Sequence, residues 1–166
     1  EEIHISVRFF KLVFCSKINN VKKLSGELRR AGFSANEIHS GLEQTAREQV
    51  LLDFKNKKLK ILVATDILSR GIDIEDIDLV INYDVPHDGE DYVHRIGRTA
   101  RAASEGMAYT MVIPAEQNKF QSIEKLLGYE VRKSTVPETL GPVPLYNPQA
   151  RQDAKRKFKY KKKRRY

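Results

Sequence analysis

The sequence predicts an α/β fold: a parallel sheet of about five or six strands with helices on both faces, followed by a disordered basic tail. Three observations predict it. The runs Lys11–Cys15, Lys60–Ala64 and Leu79–Tyr83 are short and almost continuously apolar, as strands buried on both faces are. The segments between them carry apolar residues at spacing three or four, the mark of a helix with one buried face. The two patterns alternate along the chain, the order that builds a parallel sheet.

Taken in order, Ile3, Ile5, Val7 and Phe9 alternate with polar residues, so Glu1–Phe10 reads as a strand of period two. Lys11–Cys15 reads as a buried strand. Ser16 or Asn19 is placed to cap the next helix, whose stripe is Ile18, Val21, Leu24, Leu28 and Ala31. Gly32 stands where a helix places its C′ glycine. Ser34–Ile38 is a second strand. The helix over about Glu43–Lys55 is expected to bury Ala46, Val50 and Phe54. Lys60–Ala64 and Leu79–Tyr83 are the next strands, Glu90–Arg98 a helix, and Ala108–Ile113 a further strand. Pro114 suits the first position of a last helix, with Phe120, Ile123 and Leu127 on one face and Gly128 closing it.

At 166 residues the chain is about one domain long. Its apolar runs are too short to span a bilayer, and Glu1-Glu2-Ile3-His4 lacks the basic start of a signal peptide. The single cysteine, Cys15, excludes an internal disulfide and suits a reducing compartment. A cytoplasmic protein without membrane partners is expected. The net charge of +8 is unevenly placed. Residues 151–166 carry 10 Lys and Arg against 1 Asp, whereas the other 150 carry 20 basic and 21 acidic side chains. A neutral body therefore bears a polybasic appendage.

In parallel sheets, ligands bind outside the carboxyl ends of the strands. Ser16 follows the first buried strand, Gly41 the second, and Thr65-Asp66 the third. Arg95, Arg98 and Arg101 recur at spacing three, which places them on one helical face. Guanidinium groups stay charged and match phosphate oxygens bidentately. The row is a phosphate clamp or a solvated basic face. Gln44 and Arg47 lie one turn apart at a helix start, where backbone N–H groups favour an anion, and Gly41 permits close approach of a backbone. The other reading of that stretch is an ordinary surface turn. Ser16 either holds a phosphate or caps a helix. Asp66 is read as structural, pairing with Arg70 one turn on. Cys15, Tyr83 and Phe120 are read as packing residues, and no C-x-x-C or His pair has metal-ligand spacing.

His94-Arg95-Ile96-Gly97-Arg98-Thr99-Ala100-Arg101 resembles motif VI of the DEAD-box RNA helicases, H-R-I-G-R-T-G-R, and departs from it only at Ala100. Ala64-Thr65-Asp66-Ile67-Leu68-Ser69-Arg70-Gly71-Ile72-Asp73 resembles motif V of that family, and Phe14-Cys15-Ser16 its motif IV. The resemblance runs from about Lys11 to Val131 and is strongest to the RhlE-like bacterial subgroup. It implies a RecA-like fold, the second of two such domains. It further implies that Ser16, Gly41, Gln44, Arg47 and Thr65 grip an RNA backbone. Gly71 and Asp73 would bind ATP, with Asp73 on the ribose. Arg98 and Arg101 would face the γ-phosphate, Arg101 as the principal finger. His94 and Arg95 would meet the acidic catalytic motif of the first domain.

The chain contains no G-K-[ST] phosphate loop and no D-E-A-D sequence. In the family both belong to the first domain, which would also hold Mg2+. The chain alone is therefore expected to be inactive, and the N-terminal RecA-like domain of the same protein, ATP and RNA are its expected partners, with a monomeric whole. The alternative is a stand-alone RNA-binding or regulatory module without ATPase activity; a third reading, a DNA helicase, fits the motif spellings less well. The family places both a strand and a helix ahead of Lys11, and ten residues cannot hold both. The expected division is 1–131 for the RecA-like domain, 132–150 for a Pro-rich linker marked by Pro137, Pro142, Pro144 and Pro148, and 151–166 for the tail.

The tail's ten cations, with Phe158, Tyr160 and Tyr166 between them, suit a nucleic-acid backbone with base stacking. Removing the residues after Pro148 is expected to lower RNA affinity and flatten its salt dependence, because fewer counterions are released on binding. Filter binding or fluorescence anisotropy across a salt series, beside the intact chain, checks this. Equal affinity and equal salt slope would remove the tail from the interface.

Overall fold

The computed structural model describes residues 10–66, 74, 77–99 and 106–149. The period-two strand expected over Glu1–Phe10 lies outside the described residues except for Phe10, as does the whole basic tail. Five four-residue strands, β1 (Lys11–Phe14), β2 (Ala35–Ile38), β3 (Ile61–Ala64), β4 (Leu79–Asn82) and β5 (Met107–Thr110), pair in parallel in the order β2-β3-β1-β4-β5. Four helices accompany them: α1 (Ile18–Arg30), α2 (Gln44–Lys55), α3 (Gly89–Ile96) and α4 (Gln117–Leu127). The chain divides into two compact units between Met111 and Val112. The first carries the sheet with α1, α2 and α3; the second carries α4 and the segment after it.

The continuous apolarity of the central strands follows from burial on both faces. Along β1 and β3 successive side chains alternate sides. Leu12, Phe14, Leu62 and Ala64 join Val80, Ile38, Val50 and Phe54 in a core on the α2 side. Val13, Cys15, Ile61 and Val63 join Val21 and the half-buried Leu24 and Leu28 on the α1 side. Phe14, Leu62, Val63 and Val80 are wholly enclosed, each contributing about 1.5–3 kcal/mol. Cys15 belongs to this core, and burial, then the nearby Asp84 carboxylate, pushes its thiol up to about 12. The strands end level: Ile38, Ala64, Phe14, Asn82 and Thr110 form one row across the sheet. Among the described residues no helix is long and apolar enough to cross a membrane.

Several local expectations are corrected. Neither Ser16 nor Asn19 caps α1; Lys17 holds the N-cap position without a side-chain bond. Ala46 is exposed, so Val50 and Phe54 alone are the buried residues of α2. Tyr83 is 39% exposed and not a packing residue. Pro114 precedes α4 rather than starting it, in a turn closed by the Glu116 N–H on the Ile113 carbonyl. Gly32 is as expected: at φ +85 it lets the Phe33 N–H reach the Leu28 carbonyl and its own N–H reach that of Arg29, a paired C-terminal cap.

The Pro-rich segment, expected as an extended linker, holds a 3-10 turn at Glu138–Leu140 and is anchored on α4. The Gln117 amide donates to the Leu145 carbonyl at 3.0 Å and accepts the Asn147 N–H at 2.7 Å. The buried Glu124 carboxylate accepts the Val131 N–H and the Tyr146 hydroxyl, both at 2.9 Å, and pairs with Lys133. The Lys133 ammonium lies 4.7 Å from the centre of the Tyr146 ring. Burial raises the Glu124 pKa, but the bonds from Lys133, Tyr146 and Val131 outweigh it and hold the carboxyl below its ordinary 4.5. A carboxyl depressed on folding stabilises above its unfolded value and loses that contribution as pH falls through the folded one. Glu124→Ala is expected to cost about 2 kcal/mol, seen in denaturant melts near neutral pH and shrinking in acid. Limited proteolysis should show faster cleavage within 131–147 in the variant.

Candidate functional site

Because the strands end level, the residues that follow them lie along one edge. Ser16 follows β1, Gly41 and the start of α2 follow β2, and Thr65 and Asp66 follow β3. Asp84 and then α3 follow β4. The chain leaving β1 forms α1 on one face, whereas α3 delivers Arg95 to the Phe14 ring on the other, 5.3 Å from its centre. The crevice between β1 and β4 is therefore where the connections diverge, the usual ligand position in parallel sheets.

Arg95 holds this edge together. It is wholly buried. Its Nε and Nη2 donate to the two Asp66 carboxylate oxygens at 2.5 and 2.9 Å. Its Nη1 donates to Asn82 Oδ1 at 3.1 Å and to the Asp84 carbonyl at 3.3 Å. Asn82, also buried, passes its amide on to Thr110 Oγ1 at 3.0 Å. One guanidinium thus joins the ends of β3 and β4 to α3. Asp84 extends the network by accepting the Ser16 N–H on both carboxylate oxygens at 2.9 Å, and it pairs with the Ser16 hydroxyl.

Three sequence readings change here, those of Arg95, Ser16 and the row of arginines. Asp66 pairs with Arg95, across 29 positions, and the pairing expected with Arg70 falls on a residue outside the described ones. Arg95, expected to meet a catalytic motif of another domain, is enclosed and acts on Asp66, Asn82 and Asp84. Ser16, expected to hold a phosphate, has its N–H and hydroxyl engaged by Asp84. The expected row of arginines is not one helical face, because α3 ends at Ile96. Asp88 starts that helix by accepting the Asp91 N–H at 2.9 Å. Past its end the Thr99 hydroxyl donates to the Ile77 carbonyl at 2.8 Å, deep in the fold. Arg98 lies in the turn between, half-buried, with Nε on the His94 carbonyl at 3.3 Å.

Of the remaining candidates, Thr65 sits at the carboxyl end of β3 with its N–H on the Ile38 carbonyl at 3.4 Å. Its hydroxyl and His94 Nδ1 are buried with no hydrogen-bond partner among the described residues. The Gly41 N–H donates to His39 Nδ1 at 3.0 Å. Gln44 donates to Glu48 at 2.7 Å and accepts from Arg47 at 3.4 Å. Gly71, Asp73 and Arg101 lie outside the described residues. Arg98 is the described cation of the set whose side chain is not enclosed, and its chemistry fits a polyphosphate oxygen. No group of three His, Cys, Asp or Glu among the described residues is placed to hold a metal ion.

Asn82 and Asp84 are the residues that sequence reasoning missed. Asn82 carries a signal, a polar residue closing the apolar run Leu79-Val80-Ile81. Asp84 acquires its partner Ser16 only through the fold.

The parallel sheet, its order and the charged edge define a RecA-like domain of the kind that works in nucleotide-driven motors. Residues 8–103 match the helicase conserved C-terminal domain family. The chain belongs to that family, and within it to the DEAD-box RNA helicases. It is 45% identical over 125 residues to a probable ATP-dependent RNA helicase of Methanocaldococcus jannaschii, covering 75% of this chain and 34% of that protein. The chain thus spans about a third of the length of that relative. The structure of the E. coli DEAD-box protein SrmB bound to regulator of ribonuclease activity A superposes with a TM-score of 0.79 at 30% identity, covering 87% of this chain and 85% of the other. S. cerevisiae Dbp5 bound to RNA and ADP–BeF3 gives a TM-score of 0.71 at 31% identity, covering 78% of this chain and 35% of that one.

Removing Arg95 would strip the Asp66 carboxylate of its bidentate guanidinium partner. Arg95→Ala and Arg95→Met are each expected to cost about 3 kcal/mol or more, measured by chemical denaturation. Arg95→Lys should restore little, since one ammonium cannot reproduce the two-pronged fork.

Proposed function

We propose that this chain is the C-terminal half of an ATP-dependent RNA helicase that works as a monomer. A partner RecA-like domain would supply the phosphate loop and the Mg2+ ligands. The observation that carries this reading is the carboxyl edge holding Gly41 and Thr65, tied by the buried Arg95–Asp66 pair to α3, the helix that carries His94 and leads to Arg98. Gly41, Gln44, Arg47 and Thr65 would line the RNA backbone. Backbone contacts carry little sequence preference, which suits an enzyme that separates strands of any sequence. Arg98 and Arg101 would close on the nucleotide from the opposite side to the partner domain, with Gly71 and Asp73 at its sugar. In phosphoryl transfer the protein chiefly positions groups and stabilises charge, and a guanidinium brought in by domain closure does both. ATP hydrolysis would then be tied to closure, and closure to RNA seated across both domains. The motif identities and the likeness to S. cerevisiae Dbp5 bound to RNA and ADP–BeF3 support this reading.

The test joins this chain to the N-terminal RecA-like domain of the Methanocaldococcus jannaschii relative. The chimera is expected to hydrolyse ATP when RNA is added, whereas the chain by itself should give no turnover above background. In the chimera Arg101→Ala should lower turnover by about 10³-fold while leaving nucleotide affinity nearly unchanged, the mark of an interaction made in the transition state. Normal hydrolysis by that variant would remove Arg101 from the finger role. Turnover by the isolated chain would remove the two-domain reading.

A further inference from the structure

His39 is the one fully buried imidazole among the described residues, and its two nitrogens have opposite surroundings. Its side chain has no exposure to water. Nδ1 accepts the Gly41 N–H at 3.0 Å. An acceptor nitrogen carries no proton, so the neutral ring holds its proton on Nε2. Nε2 is buried without a hydrogen-bond partner among the described residues, and the nearest anion is Glu37 Oε1 at 3.8 Å. Glu37 and His39 are two apart and so project to the same side of the sheet. On that side Arg29 of α1 approaches Glu37 Oε2 at 3.6 Å. A line of groups therefore runs from α1 through the end of β2 to the loop that starts α2.

That loop is held by His39 from two directions. The His39 carbonyl accepts the Leu42 N–H at 3.2 Å, closing a turn, while the ring accepts the Gly41 N–H inside it. The fit is close: a Cβ on Gly41 would come within 3.2 Å of Nδ1 and 3.3 Å of Cε1. Gly41 is not at positive φ, so glycine is needed here for contact with the imidazole and not for backbone conformation. The side chain of Glu43, at the N-cap of α2, makes no capping bond. The entry angle of α2, with Gln44 and Arg47 in its first turn, rests on the turn beneath it.

We propose that His39 is a positioning residue for the RNA-facing loop: its Nε2-protonated tautomer uses Nδ1 to fix the Gly41 N–H and with it the placement of Gln44 and Arg47. The RNA part of this rests on the function proposed above; the tautomer and the loop do not.

The experiment uses the full chain. Long-range 1H–15N correlation spectra of the imidazole read the tautomer directly, and amide exchange reads the Gly41 bond. The expected spectrum shows Nε2 protonated and Nδ1 bare, and a protonated Nδ1 overturns the proposal. In His39→Leu the Gly41 amide should exchange about three- to tenfold faster, with β1 and β3 amides unchanged. His39→Asn offers an oxygen near the Nδ1 position and should recover most of that protection. His39→Gln, whose polar group sits near Nε2, should not. Equal Gly41 exchange in all three variants overturns the proposal, and the spectrum of the unsubstituted chain decides it even where a variant fails to fold. Binding of a single-stranded RNA is measured on the same proteins beside Arg47→Ala. Parallel losses in His39→Leu and Arg47→Ala, with recovery in His39→Asn, support the whole. Loosening of Gly41 with no loss of RNA affinity in either variant removes the RNA role of this loop and leaves His39 as its anchor.

Discussion

A guanidinium taken entirely out of water must find a partner for its charge and its five N–H groups, and Arg95 meets that demand with groups from two distant parts of the chain, the ends of β3 and β4. Its bidentate contact with Asp66 neutralises the charge, and Asn82 and the Asp84 carbonyl take the remaining fork. None of these acceptors is near it in sequence. The ion pair therefore forms only when β3, β4 and α3 are in place, and once formed it fixes their ends. Whatever stabilising value it has is set against a large desolvation cost. Its clearer consequence is geometric: Asp66, just past β3, and α3, which leads to the turn carrying Arg98, are tied together.

The same edge shows how a parallel sheet turns order into chemistry. All five strands stop at one register row, so every connection leaving a carboxyl end begins at the same height. Backbone N–H groups, short polar side chains and helix starts collect there because the apolar faces above and below are already filled by α1 and α2. Asp84 and Ser16 close part of the crevice between β1 and β4 from within. The open chemistry is displaced to the flanks, to Gly41, Gln44 and Arg47 on one side and Arg98 on the other.

His39 and Arg95 are two solutions to one problem. Each is a buried polar side chain that braces a loop whose outward residues belong to a functional surface. Arg95 does so with charge and many donors, His39 with a single acceptor nitrogen under a glycine. Glu124 performs a third version in the second unit, where one carboxylate gathers Val131, Lys133 and Tyr146 and anchors the Pro-rich segment on α4.

Periodicity in the sequence was enough for the strands and helices, because burial on two faces or on one stripe leaves its mark residue by residue: Leu12 to Phe14 and Ile61 to Ala64 could hardly be anything but central strands. Glycine at the ends of α1 and α4 was legible for a similar reason, since positive φ is a local requirement. The family, too, was legible, because its motifs are contiguous. Pairing was not. Helical spacing suggests Arg70 as a partner of Asp66, but nothing local announces Arg95, which the crossover of the sheet brings to it. Ser16 had the composition of a phosphate ligand, but β4 places Asp84 against it. The strand order and the partners of the buried Arg95 were decided only by tertiary structure, because they depend on groups far apart in the chain that meet when the two faces of the sheet are covered.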